Sequence, residues 1–344
     1  MRIGTNPEKN NNALDLYAYH RVIVPVYIPN FEGYFKDSFE IFKFNIESLL
    51  ETIHDKTRIT IYNNNCTDEV KNYIDVLYKN HTQIDQVFHS KENLGKINAI
   101  LASIKGNLEP IVTITDSDVL FKHDWQKEVE QVFIDFPNAG MVSPVPGSKA
   151  IKNFTANNWY LGILGNISLR FEPVRNPDAM KRFDNSLGNH TSLYKPVHLE
   201  KYLVLNSKGK KAVMGCGHFV ATLRREVFDK GSNSPAFIKI VGGVENKFID
   251  SPNENLGFLR LATLENYAFH LGNVKEDWML EEFNALKNRD SNCYTENTLL
   301  FHFKSLSIWK VWLGKLIRKV FLSNYIRNKY FKIIGLKNSE DYSI

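Results

Sequence analysis

The stretch IVTITDSDVLF, residues 111–121, runs from β-branched and apolar residues straight into two aspartates one residue apart. An apolar run of this length reads as a strand buried on both faces, as in a parallel sheet. The same alternation extends outward from it. RVIVPVYIP (21–29) reads as a strand and FKDSFEIFKFNIESLLETI (35–53) as an amphipathic helix. TRITIYNNNC (57–66) is a second strand, and Thr67 opens the next helix as an N-cap. IDQVFHS (84–90), LGKINAILASI (94–104), the opening stretch, WQKEVEQVFIDF (125–136) and AGMVSPVP (139–146) continue the series. Strands alternating with helices predict an α/β, Rossmann-like fold: a mostly parallel central sheet flanked by helices. In such sheets ligands sit outside the carboxyl ends of the strands. The asparagines at 63–65 and the aspartates at 116 and 118 therefore fall at the expected crevice.

Composition narrows the class. The chain has 344 residues, 43% of them hydrophobic, which is enough for a full core. Cys66, Cys216 and Cys293 are odd in number and far apart, so neither a disulfide framework nor a zinc site is indicated. The first twenty residues lack a signal-peptide core, and no stretch approaches eighteen uncharged apolar residues. The expectation is a cytoplasmic protein.

Beyond residue 150 the chain is rich in Asn, Gly and aromatic residues, and reads as an irregular excursion over one face. Order returns with KAVMGCGHFVATLRREVF (211–228), a glycine-broken strand and short helix, and with NYAFHLGN (266–273), a strand ending in His270. A helical tail is expected over 297–335. The expected division is an extension over 1–20, a catalytic domain over 21–295 with halves meeting at 146/147, and a basic amphipathic tail over 296–344.

Alternate residues of a strand share a face, so Asp116 and Asp118 can address one site. Two carboxylates so close repel unless a cation or hydrogen-bonding ligand lies beside them. With its neighbours, the pair resembles glycosyltransferase family 2, enzymes of the GT-A fold that use nucleotide sugars. VIVPVYIP (22–29) is similar to the family's first strand, whose turn at Pro25, Val26 and Tyr27 packs the nucleobase. IYNNNCTDE (61–69) matches its strand-end pattern, with Asn63 where the family has a base-contacting Asp and Asn65 nearby. ENLGKINAILASIKG (92–106) resembles the segment that supplies Asn93 and Lys96, and TITDSDVLF its D-x-D with Ser117 between the aspartates.

The resemblance implies a metal-dependent, inverting glycosyltransferase. It would move a hexose or N-acetylhexosamine from a nucleotide-sugar donor to a saccharide or polyprenyl-diphosphate-linked acceptor in surface polysaccharide assembly. Asp118 would ligate Mn2+ or Mg2+ with His270, and Asp116 would contact the ribose or a metal-bound water. The cation would neutralise charge on the leaving diphosphate, and manganese accepts an imidazole more readily. An Asn63 amide can accept from uracil N3–H and donate to O4, which favours UDP while guanosine and thymidine donors stay open.

A base must take the acceptor's proton. FIDSPNENLGFLRLAT (248–263) departs from the family's acidic motif here. The Pro252 turn favours Asp250, and counting back from Arg260 favours Glu254; either could instead cap the next helix. Gly215 and Gly217 bracket Cys216 beside the expected donor sugar, with Gly217 a candidate contact. Cys216 has no base partner that would make it a nucleophile, and His218 reads chiefly as structural.

From 301 to 337 there are nine basic residues and no acidic one. On a helical wheel Trp309, Trp312, Leu313, Leu316, Ile317 and Val320 oppose Lys310, Lys315, Arg318 and Lys319, the pattern of a helix lying on an anionic membrane surface or of one packed on the catalytic domain with its basic face in solvent. The former would make the protein peripheral on the inner face of the cell membrane. A sugar-nucleotide nucleotidyltransferase would need a Gly-rich basic loop after the first strand, which PVYIPNFEGYF (25–35) lacks. A non-catalytic nucleic-acid-binding or membrane-binding module would leave the three-part donor pattern unexplained, and nucleic acid is not expected as a partner. Oligomeric state is left open.

Overall fold

The computed structural model describes residues 4–6, 9, 14, 16–188, 190–232, 234–239, 245–288 and 301–342. Cys293 and the expected boundary at 295/296 lie outside them. In chain order the first half runs β1 (His20–Val26), α1 (Ser38–Thr52), β2 (Thr57–Asn64), α2 (Asp68–Asn80), β3 (Ile84–Ser90), α3 (Lys96–Lys105), β4 (Ile111–Thr115), β5 (Val119–Phe121), α4 (Trp125–Asp135) and β6 (Ala139–Ser143). The second half adds α5 (Ala156–Leu164), β7 (Ser168–Pro173), α6 (Pro177–Ser186), α7 (Pro196–Glu200), β8 (Lys201–Ser207), β9 (Lys210–Met214), β10 (Val220–Arg224), α8 (Glu226–Asp229), α9 (Ser251–Asn255), β11 (Leu259–Ala262), β12 (Ala268–His270), α10 (Asp277–Lys287), α11 (Ile308–Phe321) and α12 (Asn324–Ile333).

Among the described residues ten strands form one sheet in the order β3-β2-β1-β4-β10-β6-β11-β9-β8-β7, and β5 pairs with β12 in a small second sheet. Strands β1 to β4 are parallel, and only β10, β9 and β7 run against the common direction. The unbroken apolar run of β1 follows from burial on both faces. Val22, Val24 and Val26 pack with Phe42 and Ile46 of α1, while Ile23 packs with Ile97 and Ile100 of α3.

Two sequence expectations are corrected. The stretch after residue 150 is not irregular: β7 and β8 extend the sheet as antiparallel strands. β7 alternates exposed and buried residues over a short length, which composition hides. The segment 211–228 is two strands rather than one, and β6 and β11 lie between β9 and β10.

The tail is docked on the domain. Lys304 N–H donates to Pro137 O (2.8 Å) and Leu306 N–H to Gly257 O (3.1 Å). α11 then packs on α5 through Val311, Gly314 and Ile317. A Cβ at Gly314 would stand 2.4 Å from the Ala156 carbonyl oxygen. Arg318 closes the contact by pairing with the buried carboxylate of Glu254. Gly314→Ala is expected to destabilise the fold by about 1–2 kcal/mol, because overpacking against backbone outweighs the helix-propensity gain. Urea unfolding measures this, and an unchanged midpoint would contradict the close contact.

Candidate active site

The two aspartates lie in the turn between β4 and β5, not on a strand, and the turn is held from three sides. Asp116 N–H donates to Phe219 O (2.7 Å), next to β10. The buried Asn45 of α1 donates to Asp116 O (3.3 Å) and Val119 O (2.7 Å). Leu271 N–H donates to Asp118 O (2.7 Å), tying the turn to the end of β12. So both side chains reach one cavity through turn geometry rather than strand alternation.

That cavity, of about 440 Å³, lies at the carboxyl ends of β1, β2 and β4. Pro25, Val26, Tyr27, Asn93, Lys96, Asp116, Ser117 and Asp118, all expected at the donor site, line it. Asn64, Lys239 and Glu245 line it as well. Gly95 adopts φ +81°, and a Cβ there would stand 2.8 Å from Lys239 O, so glycine lets the two segments meet. Asn98 fixes that meeting by accepting from Ala236 N–H (2.8 Å) and donating to Ala236 O (2.7 Å).

Lys96 pairs with Asp116, and its ammonium stands 3.7 Å from Glu245. Burial works against the Lys96 charge, but Asp116, Glu245 and Asp118 outweigh it and raise the pKa above that of free lysine. Three carboxylates thus face two lysines in one cavity. Burial, with a smaller push from Asp116, lifts Asp118 to about 6 against the opposing pull of His270. Its Oδ1 is buried with no hydrogen-bond partner.

His270 is set to face that carboxylate. Ser186 Oγ donates to Phe183 O (2.7 Å), so it accepts from His270 Nδ1–H (2.8 Å). In the neutral ring this leaves the lone pair on Nε2, 3.4 Å from Asp118 Oδ2. Phe183 and Phe219 pack edge-on against the ring, with centroids at 5.9 and 5.2 Å. A lone pair and a carboxylate turned toward each other, beside an unpartnered carboxylate oxygen, fit a divalent cation.

Other expected residues sit elsewhere. Asn63 is buried outside the cavity lining: its Oδ1 accepts from Cys66 N–H (2.8 Å) and its Nδ2 meets His89 Nδ1 (2.9 Å). Asn65 takes a left-handed turn conformation (φ 69°) outside the lining. Gly217 does not line the cavity but leads into His218. Asp250 is fully buried, 3.2 Å from Arg260 Nη2 and 3.4 Å from His218 Nδ1. Burial alone would raise its pKa, but His218 and Arg260 overcome that and hold it below the usual carboxylate range. Glu254 turns away, accepting from Ala156 N–H (2.9 Å) and pairing with Arg318.

Besides the two aspartates, Glu245 brings a carboxylate to the cavity, with Oε2 3.9 Å from His218 Nε2. Reading it from sequence required looking further upstream, in VENKF (244–248), rather than counting from Arg260 alone.

Another polar cluster, His20, His54 and Glu130, has ligand-type atoms within 4.8 Å of one another. It begins at the first residue of β1, at the opposite end from the cavity. Glu130 Oε1 lies 2.7 Å from His20 Nδ1 and 3.0 Å from His54 Nε2, and Tyr19 Oη donates to Oε2 (3.0 Å). It is a core hydrogen-bond network and has no bearing on a cation at Asp118.

Burial dominates at His20 and lowers its pKa below 6.5, despite the pull of Glu130. At Glu130 burial is outweighed by both histidines, and its pKa falls below 4.5. Below 6.5 the unfolded chain binds a proton at His20 that the folded chain refuses; below 4.5 the same holds for Glu130. Both lower stability as pH falls, so the melting temperature is expected to drop between about pH 7 and pH 4. A flat profile would contradict these environments.

A family model described as Glycosyl transferase family 2 matches residues 22–231. Among solved structures, the chain is similar to the mannosyltransferase PcManGT from Pyrobaculum calidifontis in complex with GDP-Man and Mn2+. Identity is 14%, the alignment covers 91% of this chain and 72% of that one, and the TM-score is 0.46. It is also similar to S. aureus TarS 1-349, at 12% identity over 91% of this chain and 72% of that one, with a TM-score of 0.45. No curated protein sequence gives a significant match.

Proposed function

The chain belongs to glycosyl transferase family 2 and is a glycosyltransferase, and from that premise we propose that it transfers a sugar from a nucleoside diphosphate sugar bound in the 440 Å³ cavity. The observation that carries this reading is the carboxylate of Asp118, which lines that cavity: its Oδ1 is buried and unpartnered, and its Oδ2 stands 3.4 Å from His270 Nε2. Asp118 and His270 would hold Mn2+ or Mg2+, with Asp116 at its edge. When bound, the cation neutralises charge gathering on the leaving diphosphate.

This chain's own side chains supply the rest. Lys96 and Lys239 face the phosphates, and Tyr27 lies in the lining beside Phe35 for a base to pack on. Asn64 donates to Asn93 (2.9 Å) and accepts from Leu94 N–H (2.9 Å), so it keeps a second N–H and a second lone pair. These complement uracil O4 and N3–H, which keeps a UDP-sugar the favoured donor.

Glu245 is the proposed base. It receives the acceptor hydroxyl's proton while that oxygen attacks the anomeric carbon, and the diphosphate departs with the electron pair of the broken bond. A single displacement of this kind inverts the anomeric centre. Asp250 acts from behind, orienting His218, which faces Glu245. The proposed cargo is a hexose or N-acetylhexosamine, and the acceptor a saccharide or lipid-linked saccharide of surface polysaccharide assembly.

A panel of UDP-, GDP- and dTDP-sugars, scored for hydrolysis with and without Mn2+, tests the reading. Metal-dependent turnover of a UDP-sugar is expected. Turnover confined to GDP-sugars would overturn the uracil assignment.

A further inference from the structure

One face of α11 is buried on α5, through Val311, Gly314 and Ile317. The face left to solvent carries Trp309, Trp312, Leu316 and Val320, exposed by 58%, 63%, 41% and 48%. Their spacing of three and four residues makes one continuous stripe. A helix docked on its own domain ordinarily shows water its polar side. Here the helix is rotated from the wheel expectation: Ile317 turns inward, Arg318 pairs with Glu254, Trp312 faces out, and Trp309 borders the stripe with its ring edge-on to Tyr160 of α5 at 6.3 Å. Lys319 and Lys315 border the stripe, and Lys315 reaches Asn255 Oδ1 (2.8 Å). Residues 301–337 hold nine basic side chains and no acidic one, and Arg318 and Lys332 pair with Glu254 and Glu340 outside the segment.

We propose that this outward face of α11 docks on an anionic lipid bilayer, with Trp309, Trp312 and Leu316 in the headgroup layer and the lysines on lipid phosphates. Charge complementarity selects this occupant. A second copy would bring the same net positive charge against the first, whereas an anionic bilayer offers negative charge and apolar depth in one surface. No described helix is long and apolar enough to cross a membrane, so attachment is interfacial. Arg318 and Lys315 join α11 to Glu254 and Asn255 of α9, which continues the turn that follows Glu245. α11 therefore stands beside the helical segment that follows the proposed base. This placement suits a lipid-linked acceptor and rests on the function proposed above only in that respect.

The test floats the full chain with vesicles of phosphatidylcholine alone or mixed with phosphatidylglycerol. Binding to the anionic vesicles, a blue shift of tryptophan emission and weakening by salt are expected. The double variant Trp312→Glu, Leu316→Glu changes only exposed positions. It is expected to lose roughly tenfold or more in binding while sugar-nucleotide hydrolysis in solution stays at the wild-type rate. Lys319→Glu, which leaves the apolar stripe intact, is expected to weaken anionic binding severalfold. The proposal is overturned if the wild type ignores anionic vesicles, or if the double variant binds as well as the wild type. It is also overturned if, without lipid, those substitutions split a dimer. Flotation does not depend on turnover, so failure of the proposed reaction would leave this result readable.

Discussion

Asp118→Asn is expected to lower metal-dependent sugar transfer by about 10³-fold while leaving the melting temperature unchanged or higher. Asp118 combines a buried oxygen without a partner and a second oxygen facing an imidazole lone pair. Such an arrangement costs the apo fold and suits a cation, so removing the charge takes away the ligand while the fold keeps its hydrogen bonds. Rates with saturating Mn2+ and thermal unfolding measure both sides. Near-wild-type transfer, or a collapse in stability with no specific loss of rate, would contradict the assignment.

Glu245→Gln is expected to cut kcat by about 10²- to 10⁴-fold with little change in donor affinity. Glutamine keeps the shape but cannot take a proton, and the ion pair with Lys96 that it removes is a long one at 3.7 Å. Asp250→Asn separates the two roles. It sits fully buried against Arg260 and His218, so its loss would act on stability and on the orientation of His218. If Asp250→Asn abolished kcat with unaltered stability while Glu245→Gln remained active, the proposed base would be wrong.

Much of this was legible in the chain. The run from 111 to 121 and its neighbours placed β1 and β4 in one parallel group, because buried parallel strands are apolar throughout and need no periodicity to be read, while β3 at the sheet edge is mostly polar and was legible from its place in the alternation. Pro25, Tyr27, Asn93, Lys96 and the aspartates follow from strand ends and so arrive at the cavity together. Asn63 lies outside the cavity lining for a local reason: its amide engages Cys66 N–H and His89, a role indistinguishable in sequence from base contact. Glu254 turns away because its partner, Arg318, lies sixty-four residues away on a helix whose docking face is not legible in sequence. The rotation of α11 was hidden for the same reason. Both of its faces carry apolar residues, and the Gly314–Ala156 approach and the Arg318–Glu254 pair fix which one is buried.

The most direct measurement is calorimetric titration of UDP into wild-type and Asp118→Asn protein, each with Mn2+ and with EDTA. The account predicts binding to the wild type that is lost or weakened at least about tenfold by EDTA, and an Asp118→Asn protein that binds poorly under either condition. Equal UDP affinity in all four experiments, or no binding of any nucleoside diphosphate with or without metal, would contradict it.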